Sequence, residues 1–224
     1  VDTENYTYGQ LFNEINARTG GIVCGIEVFD NAKDPDDFQA MFSVRGKTLY
    51  PEMPFMFDMI REILTTSSLE DTKRLYEIIA QTKSRAQAGL VSAGHSTAVL
   101  RGSAYGSPMA AFQDDMAGIG YYQFIEKLEK NFNTMKDEII KNLRKVMEEI
   151  LRPENLCVSY TGERESLEST EKYTAEIRKV LFKGQIPTPA AQAPCVKKNE
   201  GFRTSGQVQY VARTGNFMRK GLEY

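Results

Sequence analysis

Two kinds of apolar periodicity follow one another along this chain, and their order restricts it to a mixed fold. Ile22, Cys24, Ile26 and Val28 alternate with Val23, Gly25 and Glu27, the period-two pattern of a partly buried strand. Phe38, Ala40, Phe42 and Val44 repeat the pattern against Gln39, Met41, Ser43 and Arg45. Residues 31–37 between them carry turn chemistry, and Pro35 argues against a regular central strand there. The pair therefore reads as an antiparallel hairpin whose loop exceeds the common two-residue turn. A short helix over residues 8–18, ending at Gly20-Gly21, precedes it.

Helical spacing then takes over. Met56, Met59, Ile60 and Ile63 share one face of residues 51–65, and Leu75, Ile79, Ala86 and Leu90 share one face of residues 70–93. These methionines and aliphatics read as core. A third helix, over residues 133–151, has Ile139, Leu143, Val146 and Ile150 as its expected buried stripe, and Pro153 favours its termination. Leu156, Val158 and Tyr160 suggest a further strand, and a helix is expected over residues 167–181. The resulting class is α+β, with helices covering an antiparallel-rich sheet rather than alternating around a doubly wound one.

Residues 183–193, with Ile186-Pro187-Thr188-Pro189 followed by an alanine-rich run, read as an extended connector. Beyond it Gln207, Gln209 and Val211 alternate with Val208, Tyr210 and Ala212, a last strand-like segment with little chain left to build its own core. The chain opens on Val1, so a processed chain and an excised fragment both remain open.

Charge excludes some partners. With 28 basic and 30 acidic residues in 224, nothing favours nucleic acid or an anionic bilayer. There is no long apolar run and no leader-like segment, so a soluble intracellular protein is expected. The three cysteines make neither a disulfide pattern nor a redox pair. Cys24 and Cys157 are expected to be buried thiols within strands.

Candidate chemistry is sparse. His95 is the single histidine, with Ser92, Ser96, Arg101 and Tyr105 near it in sequence. A histidine and a serine can make a nucleophilic pair, but neither serine lies in a Gly-x-Ser-x-Gly elbow. A structural role for His95 is the competing reading. Asp114 and Asp115 are adjacent and point in different directions from a helix, and Asp34, Asp36 and Asp37 lack the spacing and glycine of a calcium loop. Gly102, Gly106, Gly118 and Gly120 form no phosphate-binding signature and are expected to mark helix breaks and close packing. Phe112, Tyr121, Tyr122 and Phe124 are expected to pack between helices, a peptide groove being the alternative.

One stretch carries more. Ser92-Ala93-Gly94-His95-Ser96, Arg101-Gly102-Ser103-Ala104-Tyr105, Ser107-Pro108 and Gly118-Ile119-Gly120-Tyr121 together resemble the insulinase/pitrilysin superfamily of metallopeptidases, in its presequence-protease-like branch. Residues 207–212 resemble the strand near the start of that family's last domain. The resemblance implies a metallopeptidase-homology two-layer sandwich over residues 1–181, resembling the third of four homologous domains. A connector at 182–205 and the opening of a fourth-domain-like region at 206–224 would follow. It also implies a zinc centre in the full-length parent and none here, because the inverted zinc motif with two histidines maps onto nothing in this chain. No catalytic, metal or cofactor residue is carried over. Arg101, Tyr105, Tyr121 and Tyr122 become candidates for a peptide chamber or its supporting shell. The implied partners are an absent N-terminal catalytic half and the remainder of the C-terminal half, expected in the same polypeptide, and unfolded peptide; the implied compartment is a bacterial cytoplasm or, as the alternative, an organelle. An inactive peptide-binding scaffold and an autonomous serine hydrolase using His95 are the alternatives.

Overall fold

The computed structural model describes residues 1–184, 195–204, 207–216 and 221. Most of the expected connector, including Ile186 to Pro194, lies outside them. The chain is α+β, with one two-stranded sheet and eight α-helices among the described residues. No helix among those residues is long and apolar enough to cross a membrane.

Strand β1 (Ile22–Asn31) pairs with β2 (Asp34–Gly46). The expected long loop is instead the two residues Ala32 and Lys33, and Pro35 lies inside β2. In a two-stranded sheet both strands are edges, where a proline whose nitrogen faces outward forfeits no ladder bond. Side chains set the turn: Asn31 Oδ1 accepts from the Lys33 N–H at 3.0 Å, and Asn31 Nδ2 donates to Asp37 Oδ2 at 2.9 Å. Asp37, at the start of β2, thus supports the turn, and Asp34 Oδ1 accepts from the Asp36 N–H at 3.0 Å.

The helices are α1 (Tyr8–Arg18), α2 (Met53–Thr66), α3 (Thr72–Ser92), α4 (Gly94–Ser103), α5 (Pro108–Ala117), α6 (Ile119–Lys130), α7 (Phe132–Ile150) and α8 (Leu167–Val180). Contacts divide the chain into two compact units, one comprising residues 1–26, 42–75 and 136–189 and the other residues 27–41, 76–135 and 190–224.

In the first unit, α1 starts with a reciprocal cap in which Thr7 and Gln10 exchange side-chain-to-backbone bonds. Met56 and Met59 of α2 are buried as expected, together with Met53 and Phe55, whereas Ile60 and Ile63 of the expected face are only half-buried; each fully buried side chain contributes roughly 1.5–3 kcal/mol. Phe57 stacks on Tyr173 of α8 with centroids 5.5 Å apart, and Arg18 lies 3.8 Å over the Phe55 ring. Glu62 is an acidic residue on this apolar helix. It accepts from Asn5 N at 2.9 Å and Asn5 Nδ2 at 3.0 Å, so its burial is compensated.

Several expectations fail here for identifiable reasons. Ile139 of α7 is buried, but Leu143, Val146 and Ile150 are 37, 49 and 41% exposed, because nothing among the described residues covers that end of the stripe. Residues 156–160 belong to no helix or strand and have no ladder partner among the described residues; they lead into a turn, where Tyr160 Oη meets Ser166 Oγ at 2.5 Å and donates to Glu163 O at 3.2 Å. A period-two pattern supplies a strand's surface, whereas a ladder also needs a neighbouring backbone. The same holds for the alternation at 207–212 in the second unit, which forms no ladder among the described residues. Cys24 and Cys157 are exposed rather than buried, since among the described residues β1 belongs to a two-stranded sheet and residues 156–160 to none. Desolvation near the Cys24 sulfur still raises that thiol above its ordinary pKa, away from the reactive thiolate.

The second unit is built on short helices. Phe38 meets Phe112 of α5 at 5.3 Å and Tyr76 meets Phe132 at 5.2 Å, both tilted. Lys83 of α3 pairs with Glu129 of α6 at 2.7 Å, a bond that raises the lysine's pKa. Two of the expected helix breaks fall at glycines, Gly106 in the turn at 104–106 that follows α4 and Gly118 between α5 and α6, whereas Gly102 and Gly120 lie inside α4 and α6.

Candidate functional site

The polar centre of the second unit is Asp114, 1% exposed near the end of α5. Its Oδ1 accepts from the Ile119 N–H at 3.1 Å and its Oδ2 from the Gly120 N–H at 3.0 Å. These N–H groups open α6, where the helix itself supplies no acceptors and the macrodipole favours negative charge. The glycines make the approach feasible. A Cβ at Gly118 would overlap Asp114 Oδ1 and lie 2.9 Å from the Asp114 Cα, and one at Gly120 would lie 2.9 Å from Asp114 Oδ2. Asp114-x-x-x-Gly-Ile-Gly is thus one device: a carboxylate ending one helix caps the next.

Arg101 of α4 completes the charge balance. Its Nη1 donates to Asp114 Oδ2 at 2.6 Å, and its Nε donates to Glu200 Oε1 at 2.7 Å. Tyr105 Oη donates to the same Glu200 oxygen at 2.6 Å. The Phe202 and Tyr105 rings lie 5.7 and 5.9 Å from the guanidinium carbon. Desolvation opposes the Arg101 charge, but the bonds to Glu200 and Asp114 outweigh it and raise the guanidinium's pKa above its ordinary value. The Arg101 bond chiefly holds Glu200 below the usual carboxylate range, whereas desolvation and the Glu200 bond push the Tyr105 phenol up.

The structure therefore brings together two of the residues singled out from sequence, Arg101 and Tyr105, and adds Asp114 and Glu200. Adjacency to Asp115 concealed Asp114. The overlooked signal was a carboxylate four and six residues before two glycines at a helix break. Glu200 had no local signal, standing 99 positions from Arg101.

The other candidates fall elsewhere. Tyr122 Oη donates to Glu126 at 3.1 Å, and desolvation together with that bond raises its pKa. Tyr121 lines a groove of about 550 Å³ with Arg85, Leu90, Ser96, Leu100 and Met116, between α3, α4 and the α5–α6 junction. His95 is exposed and faces Tyr210, with ring centroids 6.0 Å apart. Ser92 Oγ donates back to Gly89 O at 3.3 Å, and no bond joins His95 to either serine among the described residues. Next to His95, a Cβ at Gly94 would lie 2.5 Å from Tyr210 Cε2, and one at Gly102 would lie 3.1 Å from Thr214 Cγ2. The glycines in the recognisable stretch of α4 thus clear space for residues 210 and 214.

The donor set does not fit a zinc ion. Among the described residues no group of three His, Cys, Asp or Glu side chains is placed to hold a metal, and the single imidazole packs against a phenol ring.

Comparison with known proteins agrees with these features at the level of family. Over 222 residues the chain is 30% identical to "Protein HypA" of Clostridium perfringens, covering 99% of this chain and 23% of that protein. It is 25% identical over 226 residues to presequence protease 1, chloroplastic/mitochondrial, of Arabidopsis thaliana, covering all of this chain and 21% of that one. A mitochondrial presequence protease of Yarrowia lipolytica is 27% identical over 147 residues, 65% of this chain and 15% of the relative. The chain thus spans less than a quarter of the length of these curated relatives. Residues 1–128 match the family of regions associated with M16 peptidases of subfamily C, and the chain belongs to that peptidase-associated family.

Proposed function

We propose that the chain is a non-catalytic portion of a zinc-dependent oligopeptidase that helps enclose and position unfolded peptides. In this reading residues 1–181 are third-domain-like, 182–205 connect, and 206–224 open a fourth-domain-like region. The zinc and the hydrolytic step belong to a catalytic half in the same parent. The observation that carries the reading is the exposed stripe of Leu143, Val146 and Ile150 at the end of α7. An amphipathic helix that leaves its apolar face uncovered is suited to packing against further protein. The family match and the length of the relatives support the same view.

The test is excision and return. The parent lacking residues 1–224 should lose cleavage of an unfolded peptide, and the separate chain should cleave nothing with or without added zinc. Metal-dependent cleavage by the isolated chain, or full activity of the excised parent, would sink the reading. A second reading, an inactive peptide-binding scaffold, is favoured by the 550 Å³ groove beside Tyr121 and predicts binding without the parent.

A further inference from the structure

We propose that Arg101 and Tyr105 form a carboxylate-binding site that Glu200 occupies from within the same chain, so that carboxylates on an extended peptide compete with it. The inference goes beyond the enclosing role and does not depend on it.

The two donors converge on a single acceptor. Arg101 Nε and Tyr105 Oη reach Glu200 Oε1 at 2.7 and 2.6 Å, a convergence that favours a charged oxygen over an amide. The receptor is also anchored independently of its occupant. Arg101 Nη1 is held by Asp114, and Asp114 by the Ile119 and Gly120 N–H groups, so the guanidinium has a fixed support on its other edge. Removing Glu200 leaves that support in place.

The occupant differs in kind from the receptor. Glu200 lies in residues 195–204, which contain no helix or strand, and side-chain contacts through Glu200 and Phe202 join this stretch to Arg101. The Glu200 side chain is 22% exposed, and the Arg101 side chain beneath it 14%. An entering carboxylate would meet the Nε–H of Arg101, the hydroxyl of Tyr105 and the flanking Phe202 and Tyr105 rings. These are contacts for an acidic residue in an extended chain.

A resident group tethered in the same chain competes at a local concentration on the order of millimolar. The intact protein should therefore bind free acidic peptide weakly, and neutralising Glu200 should reveal the site. The probe is a fluorescein-labelled octaglutamate, with labelled octaglutamine as control, titrated by fluorescence anisotropy. Glu200→Gln should bind octaglutamate about tenfold tighter than the unaltered chain, and octaglutamine should gain nothing. Adding Tyr105→Phe or Arg101→Lys to that background should reverse the gain. Arg101→Lys keeps a cation for Asp114 while removing the Nε donor.

Octaglutamate binding by Glu200→Gln within twofold of the unaltered chain would overturn the proposal. So would a gain that survives both second substitutions, since it would then reside on other basic residues such as Lys198. Circular dichroism checks the fold of each variant. Should Glu200→Gln unfold, Glu200→Asp serves instead, because the shorter side chain cannot reach both donors. It should bind octaglutamate more tightly than the unaltered chain, and equal binding would overturn the proposal as well.

Discussion

Arg101 meets Asp114 at 2.6 Å through a carboxylate that is 1% exposed and already accepts two backbone N–H groups. Removing one partner of such a pair strands the other charge away from water. Asp114→Ala should lower unfolding free energy by about 3–5 kcal/mol, read as a drop in urea midpoint with unchanged slope. A loss under about 1 kcal/mol, the scale of an exposed ion pair, would show that the pair is not buried in solution.

The glycines that admit Asp114 should be equally intolerant of added volume. At Gly118 a methyl group would overlap Asp114 Oδ1, and the Asp114 Cα would be 2.9 Å away, where backbone cannot yield as a flexible side-chain tip can. Gly118→Ala should cost about 1–3 kcal/mol in thermal or urea unfolding. Gly89→Ala is the control. Apart from its own helix backbone and chain neighbours, no atom lies within 4 Å of its added Cβ, and helix propensity there favours alanine, so stability should hold or rise slightly.

Glu62 gives a dependence on pH. Desolvation pushes its pKa up, but the bonds from the Asn5 backbone and side chain prevail and hold it below the ordinary 4.5. A carboxyl lowered in the folded state contributes stability that is fully present above its unfolded value. That contribution fades as pH falls through the lower folded value. Denaturation series from about pH 6 down to the acid side should therefore show a decline that Glu62→Gln reduces. An identical pH profile for both proteins would refute this role.

Val146 separates assembly from folding. It is 49% exposed, so Val146→Glu should shift the isolated chain's stability by no more than about 0.5 kcal/mol. If the proposed function holds, the same change in the full-length parent should lower peptidase activity or weaken association between parts, measured by turnover and sedimentation. Unaltered parent activity would argue that this stripe faces solvent in the whole protein as well.

The legibility of the sequence followed the range of the interactions involved. Helices α2, α3 and α7 were readable because their apolar spacing is a local property, as was the hairpin from its alternation. Burial along α7 was not, since Leu143, Val146 and Ile150 carry a core pattern without a partner among the described residues. The alternations at 156–160 and 207–212 misled for a related reason: periodicity describes one segment, whereas a ladder requires two. At the candidate site, Arg101 and Tyr105 were singled out through the family-like stretch. Their convergence depends on Glu200, on a segment whose approach no local pattern encodes. Tyr210 and Thr214 likewise explain Gly94 and Gly102 only once the chain has come back to α4.

That return has a consequence for the order of events during synthesis. A ribosome finishes α4, α5 and α6 well before it makes Glu200, Tyr210 and Thr214. Arg101 and Asp114 are both made before Glu200, so until it arrives Nε of Arg101 and the Tyr105 hydroxyl have only water or another acceptor. Closure across 99 positions is a late, entropically costly step. The helices around Asp114 thus precede their partners on the ribosome, and the contacts on α4 close only after Glu200, Tyr210 and Thr214 have all been made.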